Sequence, residues 1–156
     1  MDYYQNVVGE YLRANRSMFI NPEFFLSLDE GKEIKGRTWY IDLLVADFAM
    51  KRLLLCEVSY EKALSKLHER LRNWSMHWTE IEKAIKRDSK MPNDWSVRPW
   101  LFLPEAQLGK FLAKLTYFPV KPLITPLEMT VPWSFCTWDR LSEGPKPSII
   151  PADMQT

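Results

Sequence analysis

Two stretches, Trp39-Tyr40-Ile41-Asp42-Leu43-Leu44-Val45 and Leu53-Leu54-Leu55-Cys56-Glu57-Val58-Ser59-Tyr60, decide how this chain folds. Both are aliphatic and aromatic, and Asp47-Phe48-Ala49-Met50-Lys51-Arg52 interrupts them. They read as antiparallel strands over residues 37–47 and 52–60, with Asp47 serving the turn between. Neither alternates apolar with polar, and Leu53 to Cys56 is apolar throughout. A strand of that kind is buried on both faces, so the sheet needs helices on two sides.

Upstream, Tyr4, Val7, Val8, Tyr11, Ala14 and Met18 recur at helical spacing. They predict a helix over 2–17, capped by Asp2 and ended by Asn21-Pro22. Phe24 to Leu28 then reads as a short strand and Asp29 to Lys32 as a loop. Downstream, Leu64, Leu67, Leu71, Trp74, Trp78, Ile81 and Ile85 make one apolar seam. They predict a single helix over 61–88, about 40 Å long. That exceeds what the core of one small domain needs, so its far end has two readings: packing on the C-terminal segment, or pairing with a second copy as a homodimer. A strand at 97–103, pushed to the sheet edge by Pro99, and a helix at 105–116 follow. From Tyr117 the texture changes, with Pro119, Pro122, Pro126, Pro132, Pro145, Pro147 and Pro151. One more strand is expected within 128–138 and an irregular tail after Ser142.

The fold class is therefore α/β (α+β), a mixed sheet covered on both faces in the order helix, three strands, long helix, strand, helix. Residues 1–116 form its core, and 117–156 a proline-rich extension packed on that core within a single domain. The 156 residues suit one domain. Apolar residues at 46% and charged residues at 26% exclude a disordered or low-complexity protein. A formal net charge of +1 excludes a protein that coats nucleic acid by bulk charge, so any such contact rests on a local patch. Cys56 and Cys136 are too few for a disulfide framework or a zinc site, and His68 and His77 lie on opposite sides of a helix. No basic run precedes an apolar stretch at the N-terminus, and no apolar run could span a bilayer. A cytoplasmic protein with reduced thiols is expected.

Asp42 and Glu57 interrupt apolar strands, where a carboxylate is costly unless it is paired or bound to a cation. If the strands are neighbours, the two acids converge at one end of the sheet. Two carboxylates with a backbone carbonyl make a site for Mg²⁺ or Mn²⁺. Glu10 lies at the edge of the apolar face of the first helix. Lys62, Lys66 and Arg70 form a basic stripe at i, i+4, i+8. Read structurally instead, Glu57 pairs with Arg70 or Lys62, and the stripe is a solvated helix face.

The element order and these acids resemble the PD-(D/E)XK nuclease superfamily over residues 2–116. The resemblance aligns Asp42 with the first carboxylate, Glu57 in Cys56-Glu57-Val58-Ser59 with the second, and Glu10 with the acid of the first helix. It implies that Asp42, Glu57 and the Val58 carbonyl, assisted by Glu10, hold Mg²⁺ or Mn²⁺ for water attack on a phosphodiester of a nucleic acid. Ser59 stands where the family has its lysine and lacks the positive charge that residue offers. Lys66, or else Lys62, is the replacement expected from the helix that follows, and Lys62, Lys66, Arg70 and Arg13 are the expected phosphate contacts. Ser59 also motivates a second expectation, a catalytically inactive member acting as a nucleic-acid-binding or dimerisation module. A third is an interaction protein whose acids are all surface groups.

Overall fold

The computed structural model describes residues 2–61 and 64–130. The chain runs α1 (Tyr3–Arg13), β1 (Met18–Ser27), β2 (Thr38–Asp47), β3 (Arg52–Val58), α2 (Ser65–Met76), α3 (Trp78–Ser89), β4 (Ser96–Leu103), α4 (Glu105–Lys114) and β5 (Leu123–Pro126), then a 3-10 turn at Leu127–Met129. The five strands form one mixed sheet in sequence order. The β1–β2 and β2–β3 pairs are antiparallel, and β3–β4 and β4–β5 are parallel. The expected α+β class with a mixed sheet is the observed one. Tyr11 of α1 packs edge-on against Phe102, whereas Arg70 of α2 reaches Glu57. Leu101 and Phe102 lie in register with Glu57 and Val58, and successive strand residues face opposite ways. The two helices therefore cover opposite faces.

Asp2 caps α1 as expected, accepting the Gln5 amide at 2.8 Å. The helix ends at Arg13, earlier than its pattern suggested, because Asn15 folds back to accept the Ser17 amide and hydroxyl. This frees Met18 to open β1, which is longer than the predicted 24–28. Pro22 lies inside that strand and costs no ladder bond there, since β1 is the sheet edge. Pro99 behaves in the opposite way to expectation. Its strand, β4, is interior, and pairing with β5 begins only at Trp100, one residue beyond the proline. The edge on that side is β5, at Leu123–Pro126, and most of the strand expected within 128–138 lies outside the described residues. It adds part of the proline-rich extension to the sheet, and residues 131–156 lie outside the described residues.

The predicted 61–88 helix is two helices. His77 separates them with φ −117° and ψ 18°, and its own N–H donates back to the Trp74 carbonyl. Periodicity could not reveal this break, because Trp74 and Trp78 still face the same core across it. Each half has 12 residues, about 18 Å, which fits the sheet beneath. All seven seam residues are buried within the chain, Leu71, Trp74, Ile81 and Ile85 completely. The seam thus packs inside its own fold and leaves no apolar stripe for the dimer expected through it.

The turn between β2 and β3 carries a buried ion pair. Asp47 accepts the Ala49 and Met50 amides through Oδ1, and Arg52 Nε donates to its Oδ2 at 2.9 Å. Both side chains are nearly inaccessible, at 2% and 9% exposure. Asp47→Ala strands a buried guanidinium together with two amides. Urea unfolding should show a loss of about 3–5 kcal/mol, whereas Asp88→Ala, which breaks a half-exposed pair with Arg87, should cost less than about 1 kcal/mol.

Candidate functional site

The β2–β3 ladder runs from Asp47–Arg52 to Leu43–Cys56 and stops there. Beyond it stand Asp42 and Glu57, the next pair in register, and their carboxylates replace the missing ladder bonds. Glu57 Oε2 accepts the Asp42 amide at 3.0 Å, and Asp42 Oδ2 accepts the Val58 amide at 2.9 Å. The two acids so fill the fork where the strands separate. The remaining oxygens are held by the flanking helices. Gln5 Nε2 of α1 donates to Asp42 Oδ1 at 2.9 Å, and Arg70 Nη1 of α2 donates to Glu57 Oε1. The same Arg70 nitrogen also donates to the Tyr40 carbonyl at 2.8 Å.

Burial governs the charge state of the fork. The Glu57 side chain is 4% exposed. Burial first, and then the neighbouring Asp42 carboxylate, push it up to about 8, against the pull of Arg70. Asp42 is raised as well, chiefly by burial, and the bond from Val58 and the charge of Arg70 oppose this. Burial and the like charge of Asp42 thus act together to disfavour the ionised form of Glu57. Glu23 of β1 and Asp2 add to the negative field on Asp42. Glu23 lies between Pro22 and Phe24, which pair with Leu43 and Ile41, and so stands opposite Asp42 with φ at 52°.

Of the residues expected here from the sequence, the structure unites Asp42, Glu57, Val58 and Arg70. Val58 contributes its amide to Asp42. Glu10 is not brought in: it sits on an exposed part of α1, where Arg13 Nη1 donates to it at 2.9 Å, and Arg13 is spent on that same surface pair. Lys66 is exposed on the first turn of α2, and the cation that reaches Glu57 is Arg70, one turn further along. Lys62 lies outside the described residues. The Ser59 amide continues the sheet by donating to the Phe102 carbonyl at 3.1 Å. Sequence reasoning missed Gln5. The resemblance points to a third acid on α1, whereas the crowded carboxylate pair takes a neutral donor from that helix.

All four carboxylate oxygens of the fork accept a hydrogen bond from the protein. Among the described residues no group of three or more His, Cys, Asp or Glu side chains is placed to hold a metal. His68 stacks on Phe111 at 4.1 Å, and Cys56 is a buried free thiol raised by burial. No helix among the described residues is long and apolar enough to cross a membrane.

The fold, once described, has counterparts among solved structures. An XisH family protein from Nostoc punctiforme superposes with a TM-score of 0.51 at 17% identity, over 83% of this chain and 95% of its own. An fdxN element excision controlling factor protein from Anabaena variabilis gives 0.48 at 16% identity, over 84% and 95%. No protein-family model matches the chain, and no curated protein sequence matches it. At such identity the first likeness establishes a shared architecture that spans nearly all of the XisH family protein.

Proposed function

We propose that the chain is a divalent-metal-dependent nuclease of the PD-(D/E)XK-like kind, hydrolysing phosphodiesters of nucleic acid at the β2–β3 fork. The observation that supports this reading is the meeting of Asp42, half-buried in β2, with Glu57, buried near the end of β3, where the β2–β3 ladder stops. Asp42, Glu57 and the Val58 carbonyl are the ligands assigned to Mg²⁺ or Mn²⁺. The ion would supply Lewis acidity toward a phosphoryl oxygen and a nucleophile from water. Gln5 fixes the Asp42 carboxylate. Arg70 fixes Glu57 and brings the positive charge that Ser59 does not provide. In place of Glu10 and Lys66, the roles of helix partner and cation pass to Gln5 and Arg70.

Purified protein should cleave DNA or RNA at low salt with Mg²⁺ or Mn²⁺ and not with EDTA. Asp42→Asn and Glu57→Gln should each lower the rate by at least about 100-fold, as for loss of a group that stabilises developing charge, with circular dichroism unchanged. Absence of cleavage with every nucleic acid tried would remove the enzyme reading. Activity surviving both substitutions would remove the residue assignment.

Ser59 and the pairing of Arg70 with Glu57 favour a second reading, an inactive nuclease fold that binds nucleic acid. Melting with added Mn²⁺ separates the two. A working site gains stability with metal, and an inactive one does not.

The protonation of Glu57 gives a further test. Its folded value of about 8 stands above the ordinary 4.5, so between those limits the folded state holds a proton that the unfolded chain has released. Stability of the metal-free protein is then greatest below the lower limit and falls as pH rises through the upper one, by at most about 1.4 kcal/mol per pH unit. Glu57→Gln should flatten that slope. A metal ion competes with the same proton, so the Mn²⁺-induced rise in melting temperature should grow between pH 6 and pH 9.

A further inference from the structure

Four exposed or half-exposed tyrosines lie within three residues in sequence of the groups that form the fork. Tyr3 is 55% exposed, Tyr60 50% and Tyr40 58%, although tyrosine rings bury readily in a chain with this much core. They are arranged rather than scattered. The rings of Tyr4 and Tyr60 lie 4.5 Å apart and 32° from parallel, and Tyr3 meets Tyr4 edge-on at 5.2 Å. Tyr4 precedes Gln5, which holds Asp42, and Tyr60 follows Val58, which also holds Asp42, by two residues. On the other flank Tyr40 stands two residues before Asp42 on β2, and its ring meets that of Phe25 at 5.2 Å.

We infer that these rings form a stacking platform for unpaired bases, making single-stranded nucleic acid the substrate class of the fork. The charge around the site favours bases over phosphates as the handle. The charge near Asp42 is mixed, with Arg70 opposed by Asp2 and Glu23, and the whole chain carries only +1. A duplex keeps its base faces covered and offers mainly phosphates. A single strand exposes base faces, and an aromatic ring takes up each with little regard to sequence. The inference rests on the phosphodiester reading of the fork, for which it supplies the substrate.

Fluorescence anisotropy with a labelled 15-nucleotide DNA, single-stranded or annealed to its complement, in EDTA and low salt, measures binding without cleavage. The single strand should bind at least tenfold more tightly than the duplex. Tyr60→Ala should weaken that binding about tenfold, whereas Tyr60→Phe, which keeps the ring, should restore it. Equal affinity for both forms, no binding of either, or wild-type binding by Tyr60→Ala would overturn the inference. Ring-dependent binding without metal-dependent cleavage would uphold the platform and count against the nuclease reading. Cleavage by a protein whose binding ignores Tyr60 would do the reverse.

Discussion

Burying two carboxylates side by side is the constraint around which this molecule is arranged. Glu57 is buried and Asp42 half-buried, and each of their oxygens finds a donor in the protein. The four donors come from four places: the first turn of α1, the middle of α2, and the backbones of β2 and β3. One small polar cluster thereby ties both helical layers to the sheet at the point where two strands part. Removing any one donor leaves a buried acceptor unsatisfied, so the site and the local fold are maintained by the same bonds.

The position of Arg70 depends on how α2 is entered. Leu64 precedes the helix in the left-handed region, at φ 50°, a conformation costly for a branched side chain. It is held there because its side chain, 3% exposed, is the first residue of the buried seam. Burial of about one leucine is worth roughly 2 kcal/mol and offsets such strain. The break at His77 then lets α3 take its own direction across the sheet toward β1, where Arg37 spans Asp29 and Glu80. Two short helices achieve what one straight rod could not on a twisted sheet. The indole nitrogens of Trp74 and Trp78, flanking the break, have no hydrogen-bond partner among the described residues, so polar satisfaction yields to packing at that joint.

What could be read in the sequence was what carries a high energetic penalty. Acids inside apolar strands are expensive, and Asp42 and Glu57 were legible for that reason. Asp47 was legible as a turn residue, and the seam as core. What stayed hidden depends on three-dimensional company. Pro22 looked like the end of a helix because sequence does not say which strand is at the edge, and Pro99 looked like an edge signal when a neighbouring strand starts just past it. The 123–126 strand hides between prolines because a parallel edge strand needs only a few paired residues. At the site, the sequence points to an acid on α1 and a lysine on α2, whereas the carboxylates are met by an amide and by a guanidinium, which bonds Glu57 and the Tyr40 carbonyl together.

That substitution of donors bears on the proposed reading of the fork as a nuclease site. A lysine beside two carboxylates offers a mobile positive charge that can move from acid to substrate. Arg70 is anchored at both Glu57 and Tyr40, so its charge is already committed to the acid. Under the proposed nuclease reading, a divalent ion held by Asp42 and Glu57 would take over that compensation, and Arg70 would then be free to face a phosphate. Burial of Glu57, which raises its carboxyl, is what makes such compensation necessary in the first place.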